Sequence, residues 1–110
     1  MKRVFLCLAL IAAMVMGAEA QNRSITFEQT QEWKKIVKKA KKEKKLIFID
    51  CYTSWCGPCK MLASKVFTQD AVADYFNATF VNAKFDMEKD EDGVMLKDKY
   101  GVKAFPTLLF

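Results

Sequence analysis

With 110 residues, 52% of them apolar, the chain has material for one domain at most. Its formal net charge of +5 is local, because eight lysines fall between Lys34 and Lys45. No aromatic side chains interleave with them as a nucleic-acid surface requires, so nucleic acid is not an expected partner.

In chain order, the first twenty residues read as a secretory leader. Lys2 and Arg3 form a basic start, Val4 to Met16 is an unbroken apolar run, and Ala18-Glu19-Ala20 is a small-residue cleavage site before Gln21. The run is shorter than the roughly 20 residues that a membrane span takes. The expected mature domain is therefore 21–110, exported to the periplasm or secreted, with no stable span after cleavage and with Cys7 removed.

A helix is predicted next, with Trp33, Ile36, Val37 and Ala40 recurring at helical spacing and the lysines on the opposite face. That basic face reads as solvated surface, or as a surface for an acidic partner or an anionic membrane. Trp33 is assigned to the core. Leu46 to Cys51 is a short apolar strand leading into Trp55-Cys56-Gly57-Pro58-Cys59. A helix beginning near Pro58 is expected to carry Met61, Leu62 and Val66 inward. A shorter one follows over Asp70 to Phe76, with Val72, Tyr75 and Phe76 as its apolar side. Thr79 to Phe85 alternates as a second strand. Gly93 to Tyr100 predicts a helix with Val94, Leu96 and Tyr100 as its apolar residues, closed by Gly101 in the left-handed conformation. Pro106 precedes a last apolar strand, Thr107 to Phe110.

The chemistry sits in the Cys-x-x-Cys pair. At or just before a helix N-terminus, unpaired backbone N–H groups and the helix dipole favour the Cys56 thiolate, which makes it the nucleophile. Pro58 fits the first turn, where its missing N–H has no partner to lose. Cys59 returns to the same helix face one turn on. It is therefore the resolving thiol: Cys56 attacks a substrate disulfide, and Cys59 attacks the mixed disulfide that results. The competing reading is half of a four-ligand zinc site. It lacks ligands, since the chain has no His and Cys51 is the only other cysteine of the mature region. Cys51 is left as an odd thiol, read as a small buried hydrophobe. No metal and no cofactor are expected.

Two weaker patterns read as incidental. Glu88, Asp90, Asp92 and Gly93 mimic half of a calcium loop, but Lys99 stands where its closing Glu belongs, so a solvated acidic loop is expected. Asn22-Arg23-Ser24 and Asn77-Ala78-Thr79 satisfy the N-glycosylation pattern, which matters only in a eukaryotic secretory route.

From Leu46 to Phe110 the chain resembles the thioredoxin family. The resemblance rests on Phe48-Ile49-Asp50, on WCGPCK, on Val81 to Asp86 with Lys84, and on Tyr100 to Thr107 with Pro106. Lys65 to Thr68, with Val72 and Tyr75, is similar to exported members and to the C-terminal domain of the membrane thiol:disulfide interchange reductase. It implies an α/β fold, a central mixed sheet flanked by helices, but lacking the last strand and helix, so a C-terminally incomplete domain is expected.

The same resemblance implies roles. Asp50 matches a buried acid that accepts the Cys59 proton, and Lys84 a lysine beside it. Pro106 matches a cis-proline opposite the thiols, with the Phe105 backbone pairing with substrate. Trp55, Gly57 and Pro58 complete the substrate surface. Phe105 departs from the smaller or β-branched residue common before that proline, which reshapes the groove. The implied activity is reduction of protein disulfides, supplied by a membrane electron donor. Disulfide isomerase or oxidase activity, or a non-catalytic binding module of the same fold, stand as alternatives.

Overall fold

The computed structural model describes residues 23–110. The leader reading over 1–20, Cys7 and the Asn22 end of one glycosylation pattern lie outside the described residues. The chain forms α1 (Trp33–Glu43), β1 (Leu46–Tyr52), α2 (Gly57–Lys65), α3 (Asp70–Thr79), β2 (Phe80–Asp86), α4 (Glu91–Tyr100) and β3 (Thr107–Leu109). The sheet runs in the order β2-β1-β3. β1 is parallel to β2, with Asp50 opposite Lys84, and antiparallel to β3, with Asp50 opposite Leu108. A central strand covered on both sides explains why β1 reads as a nearly continuous apolar run.

Strand alternation sorts the side chains onto two faces. Ile47, Ile49 and Cys51 of β1 join Val81, Ala83 and Phe85 of β2 in one core with Ile36 and Ala40 of α1 and Leu96 of α4. Phe48 heads the other core with Ile25 and Phe67, flanked by Leu62 of α2 and by Val72 and Phe76 of α3. Phe48 is fully buried and meets Phe76 edge to face at 4.9 Å. Asp50 and Lys84 fall on this second face, the one that α2 covers.

Several helix expectations need correction. Leu62 packs inward, but Met61 and Val66 are exposed, because the short α2 docks through Cys59 and Leu62. Tyr75, Val94 and Tyr100 are exposed as well. Trp33 is partly buried, its ring 6.3 Å from Phe85. Element ends moved by one to three residues: β1 and β2 each run one residue further, α3 reaches Thr79, α4 starts at Glu91 and β3 stops at Leu109.

The turns follow backbone chemistry. Gly101 closes α4 at φ 63°, as its lack of a Cβ permits. Lys44 closes α1 in the same left-handed region, with the Lys45 N–H bonding back to the Ala40 carbonyl at 3.1 Å. The acidic loop is not merely solvated. Asp86 accepts from the Glu88 and Lys89 N–H groups, both at 3.0 Å, and Asp90 accepts from the Asp86 N–H at 2.8 Å. Asp92 accepts the Trp33 N–H at 2.7 Å, placing a carboxylate at the α1 N-terminus. Ahead of α1, residues 23–28 run as an extended strap, with Ile25 buried and bonded to Phe67, and Glu28 bonded to Asn82. Asn77 is part of that strap's anchorage: it accepts from Thr26 and donates to Ser24.

Candidate active site

The C-terminal end of β1 delivers the chain into a tight turn, Thr53 to Trp55, where the Cys56 N–H bonds to the Thr53 carbonyl at 3.3 Å. Cys56 is the N-cap of α2, with extended backbone at φ −80° and ψ 108°. Its Sγ accepts from the Cys59 N–H at 3.1 Å, satisfying one of the helix's orphan donors. Pro58 occupies the first turn, where no N–H is needed. Cys56 and Cys59 are joined as a disulfide, with Cα atoms 5.3 Å apart. Exposure does not rank the two, since they are 2% and 6% exposed. Position does, because only Cys56 sits at the helix terminus. Gly57 and Pro58 lie exposed above the disulfide.

Asp50 is buried, and one of its carboxylate oxygens has no hydrogen-bond partner among the protein's groups. Burial pushes its pKa up to about 6, while the Lys84 ammonium pulls the other way. Asp50, Cys59 and Lys84 line one cavity of about 200 Å³, together with Phe27, Thr53 and Lys60. The Lys84 side chain is exposed, with Nζ 5.6 Å from the Phe27 ring centre. A larger cavity, about 630 Å³, opens between α1 and β3 on the other face; neither thiol nor carboxylate lines it.

The Phe105–Pro106 peptide bond is cis. The Phe105 ring stands edge-on to the Trp55 indole, with centres 6.1 Å apart at 89°. Trp55 is 66% exposed, yet its indole N–H donates to a Glu88 carboxylate oxygen at 2.7 Å. Glu88, expected only as part of a solvated acidic loop, and Thr53 are brought to the site without being among its expected residues. The signal for Glu88 was positional, since it follows β2 at the sheet end where the parallel β1 delivers the thiols. Cys51 stands apart. It is fully buried on the other face, and burial, reinforced by the Asp50 charge, pushes its pKa up to about 12.

Comparison with known proteins bears on the family and the fold. The family model described as Thioredoxin matches residues 24–110. A solution structure from Bacteroides thetaiotaomicron, named as that of a candidate disulphide-isomerase, superposes with a TM-score of 0.71 at 55% identity, covering 83% of this chain and 74% of that one. Thioredoxin-1 of Drosophila melanogaster is 38% identical over 66 residues, 60% of this chain and 56% of the relative. A peptide-N(4)-(N-acetyl-beta-glucosaminyl)asparagine amidase of Caenorhabditis elegans is 39% identical over 66 residues, 60% of this chain and 10% of that protein. The matched stretch thus spans between a tenth and little more than half of these curated relatives. The chain belongs to the thioredoxin family.

Proposed function

We propose that this thioredoxin-family chain is an exported thiol–disulfide oxidoreductase that reduces protein disulfides through Cys56 and Cys59. The observation that carries the reading is the disulfide at the N-terminus of α2, with its inner sulfur-bearing residue sharing a cavity with the buried Asp50. Once the pair is reduced, the Cys56 thiolate attacks a client disulfide, forming a mixed disulfide and releasing the client's other sulfur. Cys59 gives its proton to the Asp50 carboxylate and attacks Cys56 Sγ, which restores the Cys56–Cys59 bond and frees the client thiol. A pKa near 6 leaves Asp50 ionised and able to take that proton at neutral pH. Trp55, Gly57, Pro58, Phe105 and Pro106 form the surface beside which an extended client segment lies, and the Lys84 charge tunes Asp50.

Export rests on the leader-like residues 1–20. An exported reductase needs electrons, and a membrane donor would supply them. Among the described residues no helix is long and apolar enough to cross a membrane. Disulfide isomerase activity is the second reading, favoured by the name of the Bacteroides structure.

Two measurements test the proposal. Insulin reduction is expected with the wild type and not with Cys56→Ser, and Cys59→Ser is expected to accumulate mixed disulfides at Cys56. No turnover and no trapped species would leave a binding module instead. The potential against glutathione separates the enzyme readings: thioredoxin lies at about −270 mV and protein disulfide isomerase at about −180 mV, and a value at or above the latter sinks the reductase reading.

A further inference from the structure

Among the described residues, three buried side-chain polar atoms have no hydrogen-bond partner in the protein, and two of them belong to residues lining one cavity: an Asp50 oxygen and the Thr53 hydroxyl. Thr53 is 1% exposed and Asp50 is 6% exposed. A buried polar group left unpaired loses its bonds to water with nothing in return, so native structures pair such groups, often through water. Their shared cavity, about 200 Å³, has room for water and is also lined by Cys59. The third unpaired atom, on Asn82, belongs to a residue outside this cavity.

From this placement we infer that Thr53 is a positioning residue: its hydroxyl holds a water against the Asp50 carboxylate, on the path by which the Cys59 proton leaves. A carboxylate accepts and cannot donate, whereas a hydroxyl both donates and accepts, so the pair can fix a water's orientation. The inference rests on the oxidoreductase reading and refines one step of it. The Cys59 S–H bond breaks and its proton passes through the water to Asp50. The sulfur's electron pair then forms the Cys59–Cys56 bond as the Cys56–client bond breaks. The client sulfur leaves with that electron pair and takes a proton from solvent. The client is reduced and the cysteine pair oxidised, with no further reactant. The other charged or titratable groups facing this cavity are Lys84 from β2, Lys60 from α2 and Tyr52 from β1.

The test follows the two half-steps separately by rapid mixing of the reduced protein with a disulfide peptide. Thr53→Val keeps the shape and removes the hydroxyl. It is expected to slow resolution of the mixed disulfide about tenfold, part of the roughly 10²–10⁴ that general-base catalysis supplies, since Asp50 itself remains. The pH midpoint of that step should shift, while attack by Cys56 stays within about twofold. Thr53→Ser should restore rate and midpoint. Thr53→Ala, which leaves space for a second water, should fall between Ser and Val and serves if the Val variant folds poorly. Equal resolution rates and one pH midpoint across wild type, Ser, Ala and Val would overturn the role of Thr53 while leaving the oxidoreductase reading intact. A wild type that forms no mixed disulfide would overturn the reading itself.

Discussion

Replacing Asp50 with Asn should make the protein's stability respond differently to pH, and the size of the change follows from burial. The Asp50 pKa is raised to about 6 in the folded chain from an ordinary value of 3.8. The folded state therefore prefers the protonated acid. Its contribution to stability is fully present below about pH 4 and is lost as pH rises through about 6. Going from 3.8 to about 6 is worth about 3 kcal/mol once both states are ionised. Asn has nearly the shape of the protonated acid and cannot ionise, so it creates no cavity and escapes the loss. Urea unfolding of the oxidised protein, wild type against Asp50→Asn, should give a stability difference that grows in favour of Asn by about 3 kcal/mol between about pH 4 and about pH 8. The disulfide must stay closed throughout, because its opening changes the unfolded reference. A difference that is flat across this range would refute the claim that Asp50 is held in a desolvated site.

Lys84→Met removes the charge that lowers the Asp50 pKa, so the midpoint of that same pH response should move upward; a downward move or none would show that the ammonium does not reach the carboxylate. Glu88→Ala takes the acceptor from the Trp55 indole, and in a Trp33→Phe background the single indole should lose fluorescence anisotropy, whereas Glu88→Gln, which keeps an acceptor, should not. Gly93→Ala drives a methyl group into the Asp86 carbonyl where α4 crosses the end of β2, and overpacking there should cost about 1–3 kcal/mol in urea unfolding.

What the sequence revealed tracked how local the determining physics is. The strands were legible because alternation and apolar runs are encoded within six or seven residues, and the Cys56–Cys59 pair because one turn of helix contains it. The left-handed closure at Gly101 was readable from the residue type alone. Met61 and Val66 were placed inward by spacing, but only tertiary docking decides how much of a nine-residue helix is covered. Asp90 and Asp92 looked solvated because a carboxylate's partners here are backbone N–H groups, one of them 59 residues away in sequence. The strap at residues 23–28 has no periodicity to detect, and its anchors lie on α3, β2 and the turn at Phe67. Glu88 escaped for the same reason, since its indole partner lies 33 residues earlier.

Three cysteines within nine residues would suggest a shared redox cluster, and the fold divides them instead. Strand alternation sends Cys51 to the opposite face from Asp50, into the core beside Ile49 and Phe85, while α2 brings Cys59 over the Asp50 side. A thiol pushed to about 12 stays in its neutral form near pH 7, which fits a cysteine packed as a small hydrophobe in the core. Asp50 contributes to this twice. Its charge raises Cys51 through the strand it shares, and its carboxylate faces the cavity that Cys59 also lines. One buried acid thus bears on both sides of the sheet: its charge helps raise the Cys51 pKa on one, and it shares a cavity with Cys59 on the other. Relocating the acid by a single residue along β1 would turn it into the core that holds Cys51 and away from the cavity that Cys59 lines, which ties the pairing of acid and Cys59 to strand alternation rather than to the Cys-x-x-Cys sequence alone.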